Sequence, residues 1–481
     1  MNRYEHLLYK RGFLFTDKKN MEFKDSMTTR VFKKWSHITF NKYDVYIDSA
    51  LPHAYYESDK MKVLVMGLVL NPFSSENDIK NIAVSLADKH NDSSFLDYLD
   101  ELSGRFTIIT DDDNATRIYG DAAGTRTLYY DTESEFHIIS SHSTLIADLM
   151  GYDISEVSQS VLTNPEFTGR KYMPGLLSPF DEIRPITPNT RYVVENRKIE
   201  RFFPREELET TNFKETVDSV TEVLKKQSKL ISEIYKTSTS LTAGLDSRLT
   251  FAIQNSGKNN GDYFTHISKR IPESFQEDVS IGKKLADIYN KEHTVYEYTN
   301  DDTVDGFKEF KAVWFKNVGM YRGSVHLFKT YADQYPPNNL HIRSNIAEVV
   351  RVYYKRRTGE VSEEKLANLY TISPFKDNEL VLNSFKEFIE ITNFKSDKFY
   401  NYNFADLFYW EHRMGMWHSW LINESDVAYE TFVPFNNRKL LTMMLSIPEE
   451  ERIGDELFIE IINNVNPKLM DIPVNKKMLK L

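Results

Sequence analysis

The pattern of secondary structure changes near the middle of the chain, between Pro185 and Pro204. Before this boundary, short β-rich runs are separated by turn signals and by segments of helical spacing. The β-rich runs are residues 62–70, 105–110, 127–130 and 136–140, and the helical segments are residues 79–86 and 95–102. After it, strands alternate with helices, and from Tyr400 onwards the chain is largely helical. The sequence therefore predicts a layered α+β domain over residues 1–200 and an α/β parallel-sheet domain with a helical C-terminal part over residues 205–481.

Charge and hydropathy exclude several classes of partner. The chain has 60 Lys and Arg against 71 Asp and Glu, a net charge of −11, so no global basic field favours nucleic acid or an anionic membrane surface. The N-terminus lacks the apolar core of a secretory signal. The longest strongly apolar run, residues 63–70, is far shorter than the roughly 20 residues that span a bilayer. We expect a soluble, cytoplasmic protein with no nucleic-acid or membrane partner.

The most informative segment is residues 238–249, where a strand is followed by small residues and then by a helix that starts near Leu245. Small residues let backbone N–H groups approach an anion, and the helix N-terminus adds partial positive charge. Asp246 could hold a magnesium ion that bridges phosphate oxygens. An ordinary strand–helix turn with Asp246 as a capping carboxylate is the alternative. The candidate nucleotide-binding residues are Leu241, Thr242, Ala243, Gly244, Leu245, Asp246, Ser247 and Arg248.

The order of these residues resembles the Ser-Gly-Gly-x-Asp-Ser pyrophosphate loop of the asparagine synthetase-like ATP pyrophosphatases, with Thr242 and Ala243 in place of the first Ser and Gly. Three further segments follow in the order and spacing of that family. They are residues 264–295, with Glu277 and Asp278; residues 412–419, similar to Asp-Arg-x-x-Met-Ala-His-Ser; and residues 433–440, similar to Val-Pro-Phe-Leu-Asp-His-Arg-Leu. The resemblance implies an adenine nucleotide α-hydrolase-like synthetase domain that uses ATP and Mg²⁺.

The N-terminal half is similar to the class II glutamine amidotransferase domain of the same family. Residues 102–106 resemble its Leu-x-Gly-x-Phe strand, and residues 120–130 resemble its Arg-Asp-x-x-Gly-x-(Arg/Lys)-Pro-Leu-Tyr-Tyr segment. The resemblance implies an Ntn-type layered fold and covers nearly the whole chain.

The chain contains no cysteine, whereas that family hydrolyses glutamine with an N-terminal cysteine thiolate. We therefore expect a degenerate amidotransferase-like domain without glutaminase activity. β-Lactam synthetases and some lasso-peptide cyclases share this loss and form amides with an amine.

The segment after the strand at 339–342 departs from the family's Ser-Gly-Glu-Gly-Ala-Asp-Glu loop. Glu348 falls on the last acid, Ala347 replaces the magnesium-binding Asp, and Ser344 replaces the catalytic Glu. Either Glu348 takes over the metal role, or the site is impaired. Arg343 is an added cation suited to a carboxylate or a phosphate. Glu348 and Arg351 could instead form an exposed i, i+3 ion pair.

Five other residues are considered on the resemblance or on spacing. Lys476 or Lys477 is the candidate for the family's late lysine, with a solvated tail as the alternative. Arg413 has aromatic stacking as its alternative role. A metal site made of His412 and His418 is rejected, since six residues do not place two ligands on one helical face.

The resemblance implies an ATP- and Mg²⁺-dependent carbon–nitrogen ligase, AMP-forming, that adenylates a carboxylate and transfers it to ammonia or an amine. Its expected partners are a small-molecule or peptide carboxylate and an amine, with a homodimer possible. The alternatives are an intramolecular lactam- or macrolactam-forming synthetase and a non-catalytic interaction protein. The candidate catalytic residues are Glu348, Arg343 and Lys476, and the candidate metal ligands are Asp246 and Glu348.

Overall fold

The computed structural model describes residues 2–89, 91–112, 114–165, 172–257, 261–269, 274–320, 324–355 and 357–474. Its strands form three sheets, two of them antiparallel and one parallel. Among these residues, no helix is both long enough and apolar enough to cross a bilayer.

Twelve strands from the first 201 residues form two six-stranded antiparallel sheets. The strands are β1 (Phe13–Thr16), β2 (Ser36–Phe40), β3 (Tyr43–Ile47), β4 (His53–Glu57), β5 (Lys62–Leu70), β6 (Ser103–Asp111), β7 (Thr116–Gly120), β8 (Tyr129–Asp131), β9 (Ile138–Ser140), β10 (Ile183–Pro185), β11 (Thr190–Val193) and β12 (Lys198–Arg201). The first sheet has the order β10-β8-β9-β1-β3-β2, and the second has the order β12-β11-β7-β6-β5-β4. A hydrophobic cluster from both sheets, which includes Phe15, Val45, Leu64 and Ile109, fills the space between them.

Short helices flank these sheets, and most begin at a side-chain cap. They are α1 (Ser26–Phe32), α2 (Ile79–Ala87), α3 (Asp92–Glu101), α4 (Ser143–Met150) and α5 (Glu156–Thr163). Asp25, Asp78, Asn91 and Ser155 each accept a hydrogen bond from a backbone N–H of the first turn that follows. Such caps satisfy donors that have no partner within the helix, which fixes where each helix starts.

The third sheet is parallel and has the order β15-β14-β13-β16-β17. Its strands are β13 (Thr237–Ser240), β14 (Asp262–Ser268), β15 (His293–Tyr298), β16 (Leu340–Ile342) and β17 (Thr431–Phe432). The helices before and between them are α6 (Phe213–Ile234), α7 (Leu245–Gln254), α8 (Ser274–Ile288), α9 (Phe307–Val318) and α10 (Val325–Gln334). Parallel strands need long connections, and these helices supply them.

The remaining residues are mostly helical. The elements are α11 (Glu363–Tyr370), α12 (Glu379–Ile391), α13 (Phe404–Phe408), a π-helix (Tyr409–His418), α14 (Ser419–Ser425), α15 (Arg438–Leu445), α16 (Glu449–Arg452) and α17 (Glu456–Val465). Short 3₁₀ turns lie at Glu5–Leu7, Ala347–Val350, Pro374–Asp377, Ser396–Lys398 and Pro467–Asp471. The antiparallel sheets, the parallel sheet and the helical C-terminal part agree with a two-part α/β fold. The division at residues 200 and 205 stays a prediction.

Buried ion pairs join the antiparallel sheets to the C-terminal half. Nη2 of Arg105 on β6 donates to Asp426 Oδ2 at 2.7 Å, and both side chains are 1% exposed. Arg126, which follows β7, pairs with Glu430 at 2.9 Å. A small hydrophobic cluster from β5, α6, β16 and β17 lies at the same junction. The two halves are therefore packed as one body.

Candidate active site

The candidate site lies at the point in the parallel sheet where the direction of strand addition reverses, between β13 and β16. From β13 the chain continues outwards through β14 and β15, and it then returns to the other side of β13 with β16 and β17. The connections that leave β13 and β16 therefore diverge and open a crevice at the carboxyl edge of the sheet. Crevices of this kind are where open α/β sheets bind ligands. The loop that follows β13 and the loop that follows β16 are the two segments that carry the predicted site residues.

The loop after β13 closes on itself through hydrogen bonds. The N–H of Thr242 donates to Ser247 Oγ at 3.1 Å, and the N–H of Gly244 donates to Thr242 Oγ1 at 3.2 Å. Helix α7 begins at Leu245, as the sequence predicts, and its N-cap residue Gly244 provides no side-chain cap. The first turn of α7 is therefore left without a side-chain cap from its N-cap residue.

One backbone N–H group of this loop already donates a hydrogen bond to the carboxylate of Asp278. Its Oδ1 accepts a hydrogen bond from the N–H of Ala243 at 2.8 Å. Helix α8 can approach this closely because Gly282, one turn later, has no side chain. A Cβ there would lie 2.9 Å from His293 Nε2 and 3.2 Å from Thr265 Oγ1. Burial raises the pKa of Asp278, while the hydrogen bond from Ala243 opposes that rise.

Three predicted nucleotide-binding residues lie away from the crevice. Leu241 and Leu245 are buried, and the N–H of Leu241 donates to Phe264 O at 2.8 Å. Arg248 is fully buried and donates to carbonyl oxygens of the C-terminal segment, Leu469 at 3.0 Å and Pro473 at 2.7 Å. These carbonyls satisfy the guanidinium at a site without solvent, so Arg248 holds the C-terminal segment instead of facing the loop as a phosphate ligand would.

The loop after β16 is strained and incompletely hydrogen-bonded. Ile346 has a φ of +77° and Val352 has a φ of +53°, and β-branched residues rarely adopt this left-handed region. Glu348 Oε1 accepts from Asn345 Nδ2 at 3.3 Å, whereas Oε2 is buried and has no hydrogen-bond partner among the described residues. The Oγ of Ser344 is also buried and has no hydrogen-bond partner among the described residues. Strain together with unsatisfied polar atoms is typical of a functional loop.

Asp246, which follows β13, lies close enough to Glu348, which follows β16, for the charge of Glu348 to affect its pKa. Burial raises the pKa of Asp246, the negative charge of Glu348 raises it further, and Arg351 opposes the rise. Burial likewise raises the pKa of Glu348. Two partly buried carboxylates at close range disfavour joint ionisation unless a cation is shared between them. Arg351 pairs with Asp246 at 3.1 Å and with Asp455, so the predicted surface pair of Arg351 with Glu348 is not what the structure forms.

The donor set at this point fits Mg²⁺. Mg²⁺ commonly binds one or two carboxylates together with phosphate oxygens. Glu348 Oε2 provides a buried acceptor that no described residue satisfies, and its charge raises the pKa of the neighbouring Asp246. No group of three or more His, Asp or Glu side chains that could hold a metal occurs in the described ranges, so an all-protein metal cage is not present there.

Arg343 follows β16 at the same edge. Its Nε donates to Asn345 Oδ1 at 2.6 Å, and it forms no ion pair with a described acidic residue. His266 and His341 lie near it. Burial lowers the pKa of both imidazoles, that of His266 to about 4, and the charge of Arg343 lowers them further. Arg343 therefore lies beside neutral histidines.

Arg413 lies on the π-helix among aromatic rings. Its guanidinium carbon is 5.0 Å from the ring centres of Tyr353 and Trp417 and 5.6 Å from that of Tyr409. Aromatic stacking, the alternative role considered for Arg413, therefore agrees with its contacts. His412 stacks on Phe408 at 4.8 Å and is fully buried. π-Helices of this kind are frequent at functional sites.

Lys476 and Lys477 lie outside the described residues, so their positions are not assigned. Asp278 and Arg351 were not singled out as site residues from sequence. Asp278 belongs to the segment that resembles the family, and its position one turn before Gly282 is the signal that could have identified it.

A cavity of about 460 Å³ lies apart from the phosphate loop. It is formed by residues 357–359, 396–406 and 445–452 together with the segment near Leu208. Arg452 on its wall donates to Val350 O at 3.0 Å, which connects the cavity to the back of the loop after β16.

No protein-family model and no curated protein matches this chain. Solved structures with partial similarity include a glutamine phosphoribosylpyrophosphate amidotransferase from B. subtilis complexed with ADP and GMP. The match has 10% identity, covers 61% of this chain and 60% of the other, and has a TM-score of 0.25. NMN synthetase from Francisella tularensis matches with 15% identity over 30% of this chain and 59% of the other, with a TM-score of 0.21.

A third similar structure is the glutamine-dependent NAD⁺ synthetase from Acinetobacter baumannii in complex with ADP. It has 11% identity, covers 42% of this chain and 43% of the other, and has a TM-score of 0.21. In each of these three matches, the chain spans about three fifths or less of the length of the solved structure. At such low TM-scores the similarities carry no argument about the fold or activity of this chain.

Proposed function

We propose that this chain is an ATP- and Mg²⁺-dependent, AMP-forming ligase that adenylates a substrate carboxylate and transfers the acyl group to ammonia or an amine. Glutamine is not the nitrogen donor in this proposal, because the chain contains no cysteine nucleophile. An asparagine synthetase-like relationship, a degenerate amidotransferase-like domain at residues 1–200 and a synthetase domain at residues 205–481 belong to the same proposal. So does a cytoplasmic location.

The observation that carries the proposal is the position of two carboxylates at the reversal point of the sheet. Asp246 is in the first turn of the helix after a small-residue loop, and Glu348 is in the strained loop that leaves the adjacent strand. A helix N-terminus attracts phosphate, and paired acids attract the cation that accompanies it. No other described segment combines these two features.

Each residue has a defined task in the proposed reaction. Thr242, Gly244 and Ser247 would bind the β- and γ-phosphates through N–H and hydroxyl donors, after exchanging their present internal hydrogen bonds. Asp246 and Glu348 would hold Mg²⁺. The metal, when bound, neutralises charge on the phosphate oxygens while a carboxylate attacks the α-phosphorus. Arg343 would orient a carboxylate group with its forked guanidinium. Lys476 remains the proposed late lysine.

The test is release of pyrophosphate and AMP from ATP in the presence of Mg²⁺, ammonium and a panel of carboxylic acids. We expect equal amounts of the two products with an accepted acid and no ADP. Asp246→Asn should lower the rate by about 100-fold or more, a typical cost of removing one electrostatic group from a reacting centre. Asp262→Asn removes the same charge at the opposite end of β14 and should stay within about twofold of the parent.

Equal rates for the parent and Asp246→Asn would refute the role of Asp246. A product that is one water lighter than a single substrate, formed without an added amine, would support the intramolecular alternative.

A second candidate is a non-catalytic interaction protein, and one set of contacts favours it. The N–H groups of Thr242, Ala243 and Gly244 already have acceptors, and Arg351 is paired with Asp246. A calorimetric titration that detects no ATP binding at millimolar Mg²⁺ would support this candidate over the ligase.

A further inference from the structure

Arg343 presents an unused hydrogen-bonding edge to the crevice. Only its Nε donates, to Asn345 Oδ1, and neither terminal nitrogen donates to a described residue. It forms no ion pair in the described part of the chain, whereas Arg105, Arg201, Arg351 and Arg438 each pair with an acid. The two terminal N–H groups of a guanidinium match the two oxygens of a carboxylate. This edge therefore lacks the anion that its geometry fits.

The groups next to Arg343 are also donors or neutral rings. Arg343 follows β16, and its N–H donates to Phe432 O at 3.0 Å, so the backbone stays extended and His341 and Arg343, two residues apart, lie on the same face of the sheet. His341 Nε2 and Ser344 Oγ are buried, and within the described residues neither has a hydrogen-bond partner. His341 stacks on Tyr429, with ring centres 4.5 Å apart, and its Nδ1 is 3.3 Å from Thr431 Oγ1. Among the described residues, the direct side-chain partners of Arg343 and His341 are uncharged, and they include Asn345, Tyr429 and Thr431.

Arg343 and Asp278, the residue of α8 that contacts the loop after β13, lie on opposite sides of the parallel sheet. The ring of His341 packs on Phe264 at 5.5 Å, and His266 Nδ1 is 3.0 Å from the hydroxyl of Tyr331 on α10. Thr265, between Phe264 and His266, lies against Gly282 of α8 on the opposite face. Asp278 and the N–H of Ala243 are on the α8 side, whereas Arg343 is on the α10 side.

We propose that Arg343 anchors a binding site for a carboxylate other than the one that is activated. The proposal rests on the ligase function and extends it: one substrate carries an additional carboxylate that fixes its position. That substrate is either the acid, which is then a dicarboxylate, or the amine, which is then an amino acid. The two sources share the same chemistry at Arg343.

Direct binding tests the site without requiring turnover. Calorimetric titration of the full chain with succinate should detect binding, and Arg343→Met should weaken it about 10- to 100-fold, the usual effect of losing a charged hydrogen bond. Arg343→Lys, which keeps the charge without the fork, should restore only part of the affinity. Arg184→Met removes an arginine that pairs with Glu387 away from the crevice and serves as the matched control.

Turnover distinguishes the two sources. If Arg343→Met slows pyrophosphate release in the absence of amine, the additional carboxylate is on the acid. If it slows only amide formation and raises the KM of an amino acid, the carboxylate is on the amine. Either result supports the site.

Three results would overturn it. They are unchanged succinate binding in Arg343→Met, binding of inorganic phosphate in preference to succinate, and a rise in the KM of ATP alone. A parent protein that binds succinate through Arg343 but releases no pyrophosphate with any acid would instead refute the ligase function and leave the site standing.

Discussion

Nη1 of Arg351 lies 3.1 Å from Oδ1 of Asp246, so a cation from the loop after β16 is paired with the carboxylate that the sequence assigns to Mg²⁺. The guanidinium also pairs with Asp455, and it lies 4.8 Å from the ring centre of Phe458 on α17. A metal ion and a guanidinium compete for the same carboxylate oxygen. Binding of a magnesium nucleotide would therefore shift Arg351 from Asp246 towards Asp455.

This competition predicts that Arg351→Met increases the apparent affinity for Mg²⁺. We expect half-maximal pyrophosphate release at a Mg²⁺ concentration about three- to tenfold lower than in the parent, the worth of a partly buried ion pair. The titration is done above pH 8, because the pKa of Asp246 is raised to about 7 and the loss of Arg351 removes a charge that lowers it. Arg184→Met is the control for loss of one positive charge. A higher Mg²⁺ requirement would show that Arg351 supports the metal site instead of competing with it.

The pKa of Asp246 predicts a pH-dependent gain in stability for Asp246→Asn. Because burial and Glu348 raise the folded-state pKa above that of the unfolded chain, ionisation of Asp246 costs folding free energy. This cost is absent below the unfolded pKa of about 4, grows as the pH rises from there to the folded pKa of about 7, and is complete above it. We expect the Tm of Asp246→Asn to exceed that of the parent by about 2–4 °C at pH 8 and to equal it near pH 4.

Glu348→Gln should shift the Tm in the same direction, since burial also raises the pKa of Glu348. Differential scanning calorimetry at the two pH values measures both effects. A lower Tm for Asp246→Asn at pH 8 would mean that its pairing with Arg351 outweighs the cost of burial.

The sequence predicts the elements of this fold better than the contacts of its charged side chains. Strand β5 and the start of α7 have the predicted bounds, because apolar runs, turn residues and small-residue loops are local signals. Arg248 was expected at a phosphate, but its partners are carbonyl oxygens more than 220 residues later in the chain. Such partners depend on how helices approach one another, which no local pattern encodes.

The candidate site shows the same division between local and tertiary information. Asp246 follows from its loop, and Glu348 follows from the alignment of its segment with the family's acidic loop. The contact of Asp278 with Ala243 depends on the close approach of α8 at Gly282. The unused edge of Arg343 depends on which acids fold next to it. The Asp278–Ala243 contact and the unused edge of Arg343 both depend on tertiary packing, which no local sequence pattern encodes.

The buried pair Arg105–Asp426 predicts that the two halves of the chain unfold together. Burial alone would raise the pKa of Asp426, but Arg105 and other arginines hold it below its ordinary value. Asp426→Asn leaves Arg105 buried with less compensation and should cost about 3–5 kcal/mol, with a single unfolding transition at lower temperature. Lys24→Met breaks an exposed pair with Asp153 and should change little. Two separate transitions in the variant, measured by calorimetry, would contradict this coupling of the halves.

The hydrogen bond between Asp278 and Ala243 predicts that Asp278→Asn binds magnesium ATP more tightly. Asp278 places a carboxylate next to the loop that the proposal assigns to the β- and γ-phosphates, 2.8 Å from the N–H of Ala243. Like charges at close range repel, and the amide keeps an acceptor for Ala243 while removing the negative charge. We expect the Kd for magnesium ATP, measured by calorimetric titration, to fall about fivefold, equivalent to about 1 kcal/mol. Glu277→Gln removes the same charge one residue earlier on α8 and should have a smaller effect, which separates the contact from net charge. Weaker ATP binding by Asp278→Asn would instead assign the carboxylate a supporting role in the shape of the loop.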